Sequence, residues 1–300
     1  MLQRNQISGL ELEAMRPLGV IAGGGALPLA VAEAAAKSGR PLHVLAFRGN
    51  SDAGLKAFPH TMMRWGEIGK IFQTLHRTGC HDVVLVGSLK RPQLMDIRPD
   101  GGFFYNLPAI FKLMQGGDDS VLSRVVRLFE SKGFRVVGAH DIAPHLVAPR
   151  GPLGQLQPSA KDLADIALGL KVVRALGALD VGQAAAVSRG YVLAVEAAEG
   201  TDEMLRRCAR LHQWGLKSAS GVLVKCPKPG QELRVDMPAI GPNTVELAAA
   251  AGLRGIAVAA GRVLVANPQL MLETAESLGL FVVGVDEHDD TPLEKISNEA

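Results

Sequence analysis

A short apolar run that leads into a glycine-rich turn and a helical segment is the feature that most constrains the fold. Residues 18–22 are apolar, three glycines follow, and residues 26–37 have helical composition with Pro28 in the first turn. This order is typical of the start of a doubly wound, Rossmann-like sheet. The turn can present backbone N–H groups to a phosphate, so Gly24 and Gly25 are candidate substrate-binding residues. Pro28 replaces the third glycine of the dinucleotide-binding motif, and tight packing of strand on helix is the alternative explanation.

Cationic side chains follow two further predicted strands in the first half of the chain. Residues 43–47 are followed by Arg48, and residues 82–86 are followed closely by Lys90 and Arg91. Ligands of open α/β sheets bind beyond the carboxyl ends of the strands. Lys90 and Arg91 are therefore candidate substrate contacts, whereas an ordinary surface charge is the favoured interpretation of Arg48.

Two adjacent acids, Asp118 and Asp119, precede the clearest predicted helix, which covers residues 121–132. An acid at the N-cap accepts the free N–H groups of the first helical turn, and this explains one of the two. The second acid has no such explanation. Contact of the pair with a metal ion or a sugar therefore stays open.

The length of the chain and one proline-rich segment predict two domains. Three hundred residues exceed one ordinary domain, and residues 143–158 contain four prolines and two glycines with little periodicity. We predict an α/β protein with a Rossmann-like doubly wound sheet in an N-terminal domain over residues 16–145. A C-terminal α/β domain with a mixed sheet is predicted over residues 159–287, where residues 184–187 and 191–195 form a hairpin pattern.

Residues 225–244 form the strongest candidate for a functional loop. They follow a predicted buried strand and contain four prolines and two glycines, which interrupt helices and strands alike. Lys225, Arg234 and Asp236 lie in this loop, and cations mixed with a carboxylate suit a phosphorylated substrate and a divalent ion. Loops on a rigid scaffold often carry function. A solvated, exposed connection that crosses between layers is the alternative.

A second polar stretch follows the predicted strand over residues 191–195. It contains Glu196, Glu199, Thr201 and Asp202. Thr201 and Asp202 are also placed to cap a helix predicted over residues 203–213, which explains one of the acids structurally. Glu196 and Glu199 have no such explanation, and this strengthens the functional interpretation of both polar stretches.

Charge and cysteine content narrow the class of protein. The net charge is +2, which argues against a general nucleic-acid-binding surface. The three cysteines are widely spaced, which predicts a reduced, cytosolic protein, and a buried thiol is the favoured interpretation of Cys226. The N-terminus lacks the apolar core of a signal peptide, and no apolar run reaches the length of a membrane span. Any membrane contact is therefore expected to be peripheral.

Eight landmarks in a fixed order carry a family resemblance. They are I-A-G-G-G-A-L-P, K-R-P, G-D-D, D-V-G-Q, V-E-A-A-E-G-T-D, the lysine of L-V-K, R-V-D-M-P-A-I-G and the threonine of P-N-T. Over residues 18–285 the chain resembles the LpxI-type UDP-2,3-diacylglucosamine pyrophosphatases of lipid A synthesis. One departure is Gln231-Glu232, where the family favours Gln-Asp, and this leaves the role of Glu232 open.

The resemblance implies a Mg²⁺-dependent hydrolase at the cytoplasmic face of the inner membrane. Its substrate would be a lipid-linked nucleotide sugar, UDP-2,3-diacylglucosamine, which water attacks at the β-phosphorus to give UMP and 2,3-diacylglucosamine 1-phosphate. The landmarks add Gln183, Thr201 and Thr244 to the candidate substrate-binding residues. The sequence leaves open whether the chain forms a homodimer.

The residue chemistry agrees with this implication. Mg²⁺ takes hard oxygen ligands, usually one or two carboxylates and several waters. Asp236 is the first choice of ligand, followed by Glu199 and Asp202. Lys225 and Arg234 would contact phosphate oxygens, Arg234 with the more rigid geometry.

Two other classes of function stay open at this point. A nucleotide-sugar binding or regulatory protein without catalysis would carry the same landmarks. A Rossmann-type oxidoreductase is less favoured, because the glycine motif is incomplete and no acid is clearly placed for a ribose.

Overall fold

The computed structural model describes residues 16–88, 100–102, 118–212 and 220–287. The chain divides into two compact units, and the division falls between Pro144 and His145. Within the described residues, no helix combines the length and the apolar character that crossing a bilayer requires.

The first unit contains a five-stranded parallel sheet with the strand order β3-β2-β1-β4-β5. This is the order of the first five strands of a Rossmann-like sheet. The strands are β1 Leu18–Ala22, β2 Leu42–Phe47, β3 His60–Met63, β4 Asp82–Val86 and β5 Arg135–Val136. The helices are α1 Leu27–Lys37, α2 Ile68–Arg77, α3 Asp118–Ser131 and α4 Ala139–Ile142. Strand β1 is buried along its whole length, as expected for the central strand of a sheet covered on both faces.

The second unit contains a six-stranded mixed sheet with the order β6-β13-β11-β9-β7-β8. Its strands are β6 Gly151–Pro152, β7 Ala184–Ser188, β8 Tyr191–Val195, β9 Val222–Lys225, β11 Gly255–Ala259 and β13 Phe281–Val285. A separate parallel pair joins β10 Ala239–Ile240 to β12 Leu264–Val265. The helices are α5 Ala160–Ala178, α6 Gly200–His212, α7 Pro242–Ala250 and α8 Pro268–Leu278. The prediction of two α/β domains, the second with a mixed sheet, is confirmed.

The segment predicted as a linker, residues 143–158, is largely built into the second unit. Strand β6 pairs antiparallel with β13, and the Ala148 and Leu153 amides donate to the carbonyls of Val263 and Val282. Proline is tolerated here because β6 lies at the edge of the sheet, where a missing N–H removes no ladder bond. A high proline content therefore concealed a short edge strand.

Asp82 is a buried carboxylate held by two arginines in the first unit. Arg40 donates to Oδ2, and Arg135 donates from Nε to Oδ1 and from Nη2 to Oδ2, both at 2.8 Å. Burial by itself would raise the pKa of Asp82, but the hydrogen bonds and charges of Arg135 and Arg40 outweigh it and lower the pKa. Asp82 begins β4, at the opposite end of the strand from the carboxyl end where ligands bind, so its role is structural.

We expect Asp82→Asn to destabilise the protein by about 3 kcal/mol, because it removes one partner of a buried ion pair. A lowered carboxyl pKa contributes stability that is present at neutral pH and is lost as the pH falls through the folded-state pKa. The measurement is urea unfolding at neutral and acid pH, with Glu33→Gln on the exposed face of α1 as the control. An Asp82→Asn variant with wild-type stability at both pH values would contradict the structural role.

Candidate active site

Three strands of the second sheet bring polar residues to one edge. Strand β7 lies between β8 and β9 and is antiparallel to both, so β8 and β9 run in the same direction and end at the same edge. Lys225 ends β9, Glu196 directly follows β8, and Gln183 directly precedes β7. The landmarks D-V-G-Q, V-E-A-A-E-G-T-D and L-V-K, which are far apart in sequence, therefore meet here.

A chain of hydrogen bonds links a buried lysine to a buried glutamate. Lys225 Nζ donates to Thr201 Oγ1 and to the Ala239 carbonyl, each at 3.0 Å, and Thr201 Oγ1 donates to Glu196 Oε2 at 3.0 Å. The exposed fractions of Lys225, Thr201 and Glu196 are 7%, 8% and 7%. The ammonium, hydroxyl and carboxylate form one connected unit, which we call the Lys225 network.

Burial and neighbouring charges act in opposite directions on the two ends of this network. Burial raises the pKa of Glu196, while the Lys225 charge, the Thr201 hydroxyl and the Gln183 backbone N–H oppose that rise. Burial lowers the pKa of Lys225, while the charges of Glu196, Asp202 and Asp236 oppose that fall. A cation surrounded by carboxylates at the carboxyl end of a strand suits an anionic ligand that brings a divalent ion with it.

Gln231 fixes the position of Asp236 in the loop that follows β9. Its Nε2 donates at 2.7 Å to both the carbonyl and Oδ2 of Asp236, and it contacts Gln183 Oε1 at 3.3 Å. Its Oε1 accepts from the Lys228 amide at 2.7 Å. Lys225 and Gln231 are buried and residues 232–237 are partly buried, so the interpretation of an exposed loop is wrong. Side-chain hydrogen bonds fold this proline-rich segment back onto the sheet edge in place of ladder bonds.

Arg234 makes a bidentate ion pair with Glu232, which lies two residues earlier in the sequence. Nε donates to Oε1 at 2.9 Å and Nη2 donates to Oε2 at 2.6 Å. The Arg234 hydrogen bond outweighs partial burial and lowers the pKa of Glu232. Glu232, whose role the family resemblance left open, therefore orients the guanidinium that we predict to contact phosphate.

The two acids of the E-G-T-D stretch lie in different surroundings. Asp202 Oδ2 accepts from Asn243 Nδ2 at 2.8 Å, which ties helix α6 to α7. Glu199 is exposed, and its Oε1 accepts from Arg207 Nη2 at 2.7 Å. Its own backbone N–H and then the Arg207 hydrogen bond lower the pKa of Glu199. The structure therefore brings Asp202 within electrostatic reach of Lys225 and pairs Glu199 with an arginine.

The prediction that Thr201 or Asp202 caps a helix over residues 203–213 is wrong, because helix α6 begins at Gly200 and includes both in its first turn. Gly200 has a φ of 81°, a left-handed conformation that favours glycine and allows this early start. Thr201 is thereby free to join the Lys225 network. The buried Thr244 lies in the first turn of α7, where its Oγ1 accepts from the Gly241 amide at 3.4 Å.

The candidate residues of the first unit lie only in part within the described residues. Gly24 donates its amide to the Ser88 carbonyl at 2.7 Å, and a Cβ on Gly24 would lie 3.0 Å from the Asn50 carbonyl oxygen. This supports packing as the reason for that glycine, since its amide is already engaged. Gly25 is exposed with a φ of 90°. Lys90 and Arg91 lie outside the described residues, as do the side chains of Asp118 and Asp119 at the start of α3.

Carboxylates that could hold a metal ion are few in this site. Among the described residues, no three acidic, histidine or cysteine side chains come close enough together to form a metal site by themselves. Asp202 and Asp236 both act on the pKa of Lys225, and two carboxylates with several waters are within the usual coordination of Mg²⁺. These two acids fit such an ion better than Glu199, which is paired with Arg207.

Three residues of the site were not among the predicted site residues. Glu196, Gln231 and Asn243 form hydrogen bonds to Thr201, Asp236 and Asp202 respectively. The signal for Glu196 was a carboxylate directly after a strand, with no cap or turn to explain it. The signal for Gln231 was its place among the polar residues of the proline-rich loop. Asn243 had no comparable signal, because an isolated amide in a loop is common on protein surfaces.

The described fold and site define a two-domain α/β protein whose second unit carries a buried cation among carboxylates at its strand ends. The chain belongs to the LpxI family: the model of the LpxI N-terminal domain matches residues 17–146, and that of the LpxI C-terminal domain matches residues 149–283. A relative from Caulobacter vibrioides, named UDP-2,3-diacylglucosamine pyrophosphatase LpxI, is 45% identical over 275 residues. The match covers 91% of this chain and 98% of the relative.

Burial explains why Cys226, beside Lys225, is not a nucleophile. Burial raises the pKa of the Cys226 thiol to about 12, against the smaller opposing effect of Arg174. A thiol with such a pKa carries almost no thiolate at neutral pH. The interpretation of Cys226 as a buried thiol agrees with the structure.

Proposed function

We propose that this chain hydrolyses the pyrophosphate of UDP-2,3-diacylglucosamine to UMP and 2,3-diacylglucosamine 1-phosphate, with Mg²⁺ as cofactor. The observation that carries the proposal is the Lys225 network, a buried cation at the strand ends with carboxylates on several sides. The membership of the LpxI family and the name of the Caulobacter vibrioides relative support the choice of substrate. Because the substrate is a lipid, the proposal also places the chain in the cytoplasm at the surface of the inner membrane.

Lys225 would bind an oxygen of the pyrophosphate. An ammonium has three protons, and two of them are directed to Thr201 and Ala239, which leaves the third for a ligand. Arg234 would bind a second phosphate oxygen while it stays paired with Glu232. Together the two cations would neutralise charge that builds up on the leaving UMP.

Asp236 and Asp202 would hold Mg²⁺, with Glu199 as a third candidate that would have to give up Arg207. When bound, the ion would neutralise charge on the pyrophosphate oxygens and would offer a coordination position to a water molecule. Gln231 holds one carboxylate oxygen of Asp236 at 2.7 Å, so the orientation of the other oxygen is set before a ligand arrives. A carboxylate that is not on the ion would orient the attacking water.

We expect Asp236→Asn to lower kcat by about 100-fold or more. The reason is that the ion, which stabilises the charge of the transition state, would lose a carboxylate ligand that is held in position in advance. The change is nearly isosteric and keeps an acceptor for Gln231, so the free energy of unfolding should stay close to that of the wild type. UMP release and thermal unfolding are measured together, with Glu246→Gln on the exposed face of α7 as the control. Wild-type turnover by Asp236→Asn would remove Asp236 from the mechanism.

Water is expected to attack the β-phosphorus, the one bonded to the sugar, with UMP as the leaving group. In-line displacement requires the attacking water and the departing UMP oxygen on opposite sides of that phosphorus. A single turnover in ¹⁸O-labelled water, followed by mass spectrometry of both products, identifies the attacked atom. The proposal predicts label in the lipid phosphate, and label in UMP would contradict attack at the β-phosphorus.

A further inference from the structure

Glu196 is the point at which three separate segments of the second unit meet. Its carboxylate accepts the Thr201 hydroxyl at 3.0 Å, and its backbone amide donates to the Ala184 carbonyl at 2.9 Å. Lys225 is linked to Glu196 through the Thr201 hydroxyl, to which its ammonium donates. Glu196 is almost fully buried, so it reaches its partners without contact with bulk water.

The turn before β7 packs closely against the backbone of Glu196. Gly182 packs so closely against the residue after β8 that a Cβ at this position would overlap the Glu196 carbonyl oxygen. The glycine of the D-V-G-Q landmark therefore leaves the space that the backbone of Glu196 occupies. The backbone N–H of the next residue, Gln183, opposes the rise in the pKa of Glu196 that burial causes.

The direction of the hydrogen bonds shows what Glu196 does. A hydroxyl group has one proton, and the proton of Thr201 goes to Glu196, since a carboxylate can only accept. The Thr201 oxygen is then left with its lone pairs facing Lys225, whose ammonium can only donate. Without the carboxylate, the Thr201 hydroxyl could rotate and present its proton to Lys225.

We propose that Glu196 is a positioning residue that acts through the Thr201 hydroxyl to hold the Lys225 ammonium in the orientation that binds a phosphate oxygen. This inference rests on the proposed function, because its readout is UMP release. It goes further by assigning a role to a residue that does not itself touch the substrate.

The first test compares kcat of Glu196→Leu, which removes the acceptor, with that of Thr201→Val and of the double variant. We expect each single change to lower kcat by about 10- to 100-fold, the range for groups that orient a ligand from behind it. The double variant should lose no more activity than the more severely impaired single variant, because both changes break the same chain. Thr201→Ser, which keeps the hydroxyl, should recover most of the activity. Glu203→Gln, on the exposed side of α6 and paired with Arg206, is the matched control.

The second test is the pH profile, which a purely structural role would not move. Glu196, Asp202 and Asp236 together oppose the effect of burial on Lys225. Removal of the Glu196 charge lets the pKa of Lys225 fall further, so the alkaline limb of kcat should move to lower pH in Glu196→Gln. In Thr201→Val the charge remains, and the limb should stay close to that of the wild type.

Several outcomes would overturn the inference. Wild-type kcat in Glu196→Leu would do so, as would a wild-type pH profile in Glu196→Gln. Losses that multiply in the double variant would also do so, since they indicate independent roles. If Glu196→Leu does not fold, the threonine pair decides: equal loss in Thr201→Ser and Thr201→Val contradicts a role for the hydroxyl. A wild-type protein that releases no UMP would instead refute the proposed function, which separates the two failures.

Discussion

A lysine ammonium buried at the end of a strand needs compensating charge inside the protein, and the second unit is arranged to provide it. Moving a charge out of water is unfavourable unless it is paired and hydrogen-bonded. The antiparallel β7 makes β8 and β9 end at one edge, so that Glu196 arrives beside Lys225. The early start of α6 adds Thr201 and Asp202, and the loop folded by Gln231 adds Asp236. Residues that are distant in the sequence are thus brought together to compensate the charge of Lys225.

The buried charges of Asp82 and Lys225 differ in whether the protein satisfies all of their hydrogen-bonding capacity. In the first unit, Arg135 and Arg40 occupy both oxygens of Asp82, at the amino end of a strand. In the second unit, Lys225 uses two of its three protons on protein groups, at the carboxyl end of a strand. A fully satisfied ion pair stabilises the fold, whereas a cation with bonding capacity at a strand end can bind a ligand. The same physical chemistry gives a structural site in one unit and a candidate active site in the other.

Local patterns predicted the two α/β units, the hairpin of β7 and β8 and the burial of β9, because each depends on neighbours in sequence. Strand β3 and helix α8 were not predicted, although Pro268 near the start of α8 and Gly279 after its end are standard signals. The site was predictable as two polar stretches after strands. Which acid faces Lys225 was not, because that depends on the strand order of the sheet and on the φ of Gly200.

Release of UMP from UDP-2,3-diacylglucosamine by the purified wild-type protein tests the central claim most directly. We predict UMP and the lipid phosphate in equal amounts when Mg²⁺ is present, and no release when EDTA removes the ion. Substrate that binds but stays intact in Mg²⁺ would contradict catalysis and indicate a nucleotide-sugar binding protein instead. Undiminished release in EDTA would contradict the proposed role of Asp236 and Asp202 as ligands of the ion.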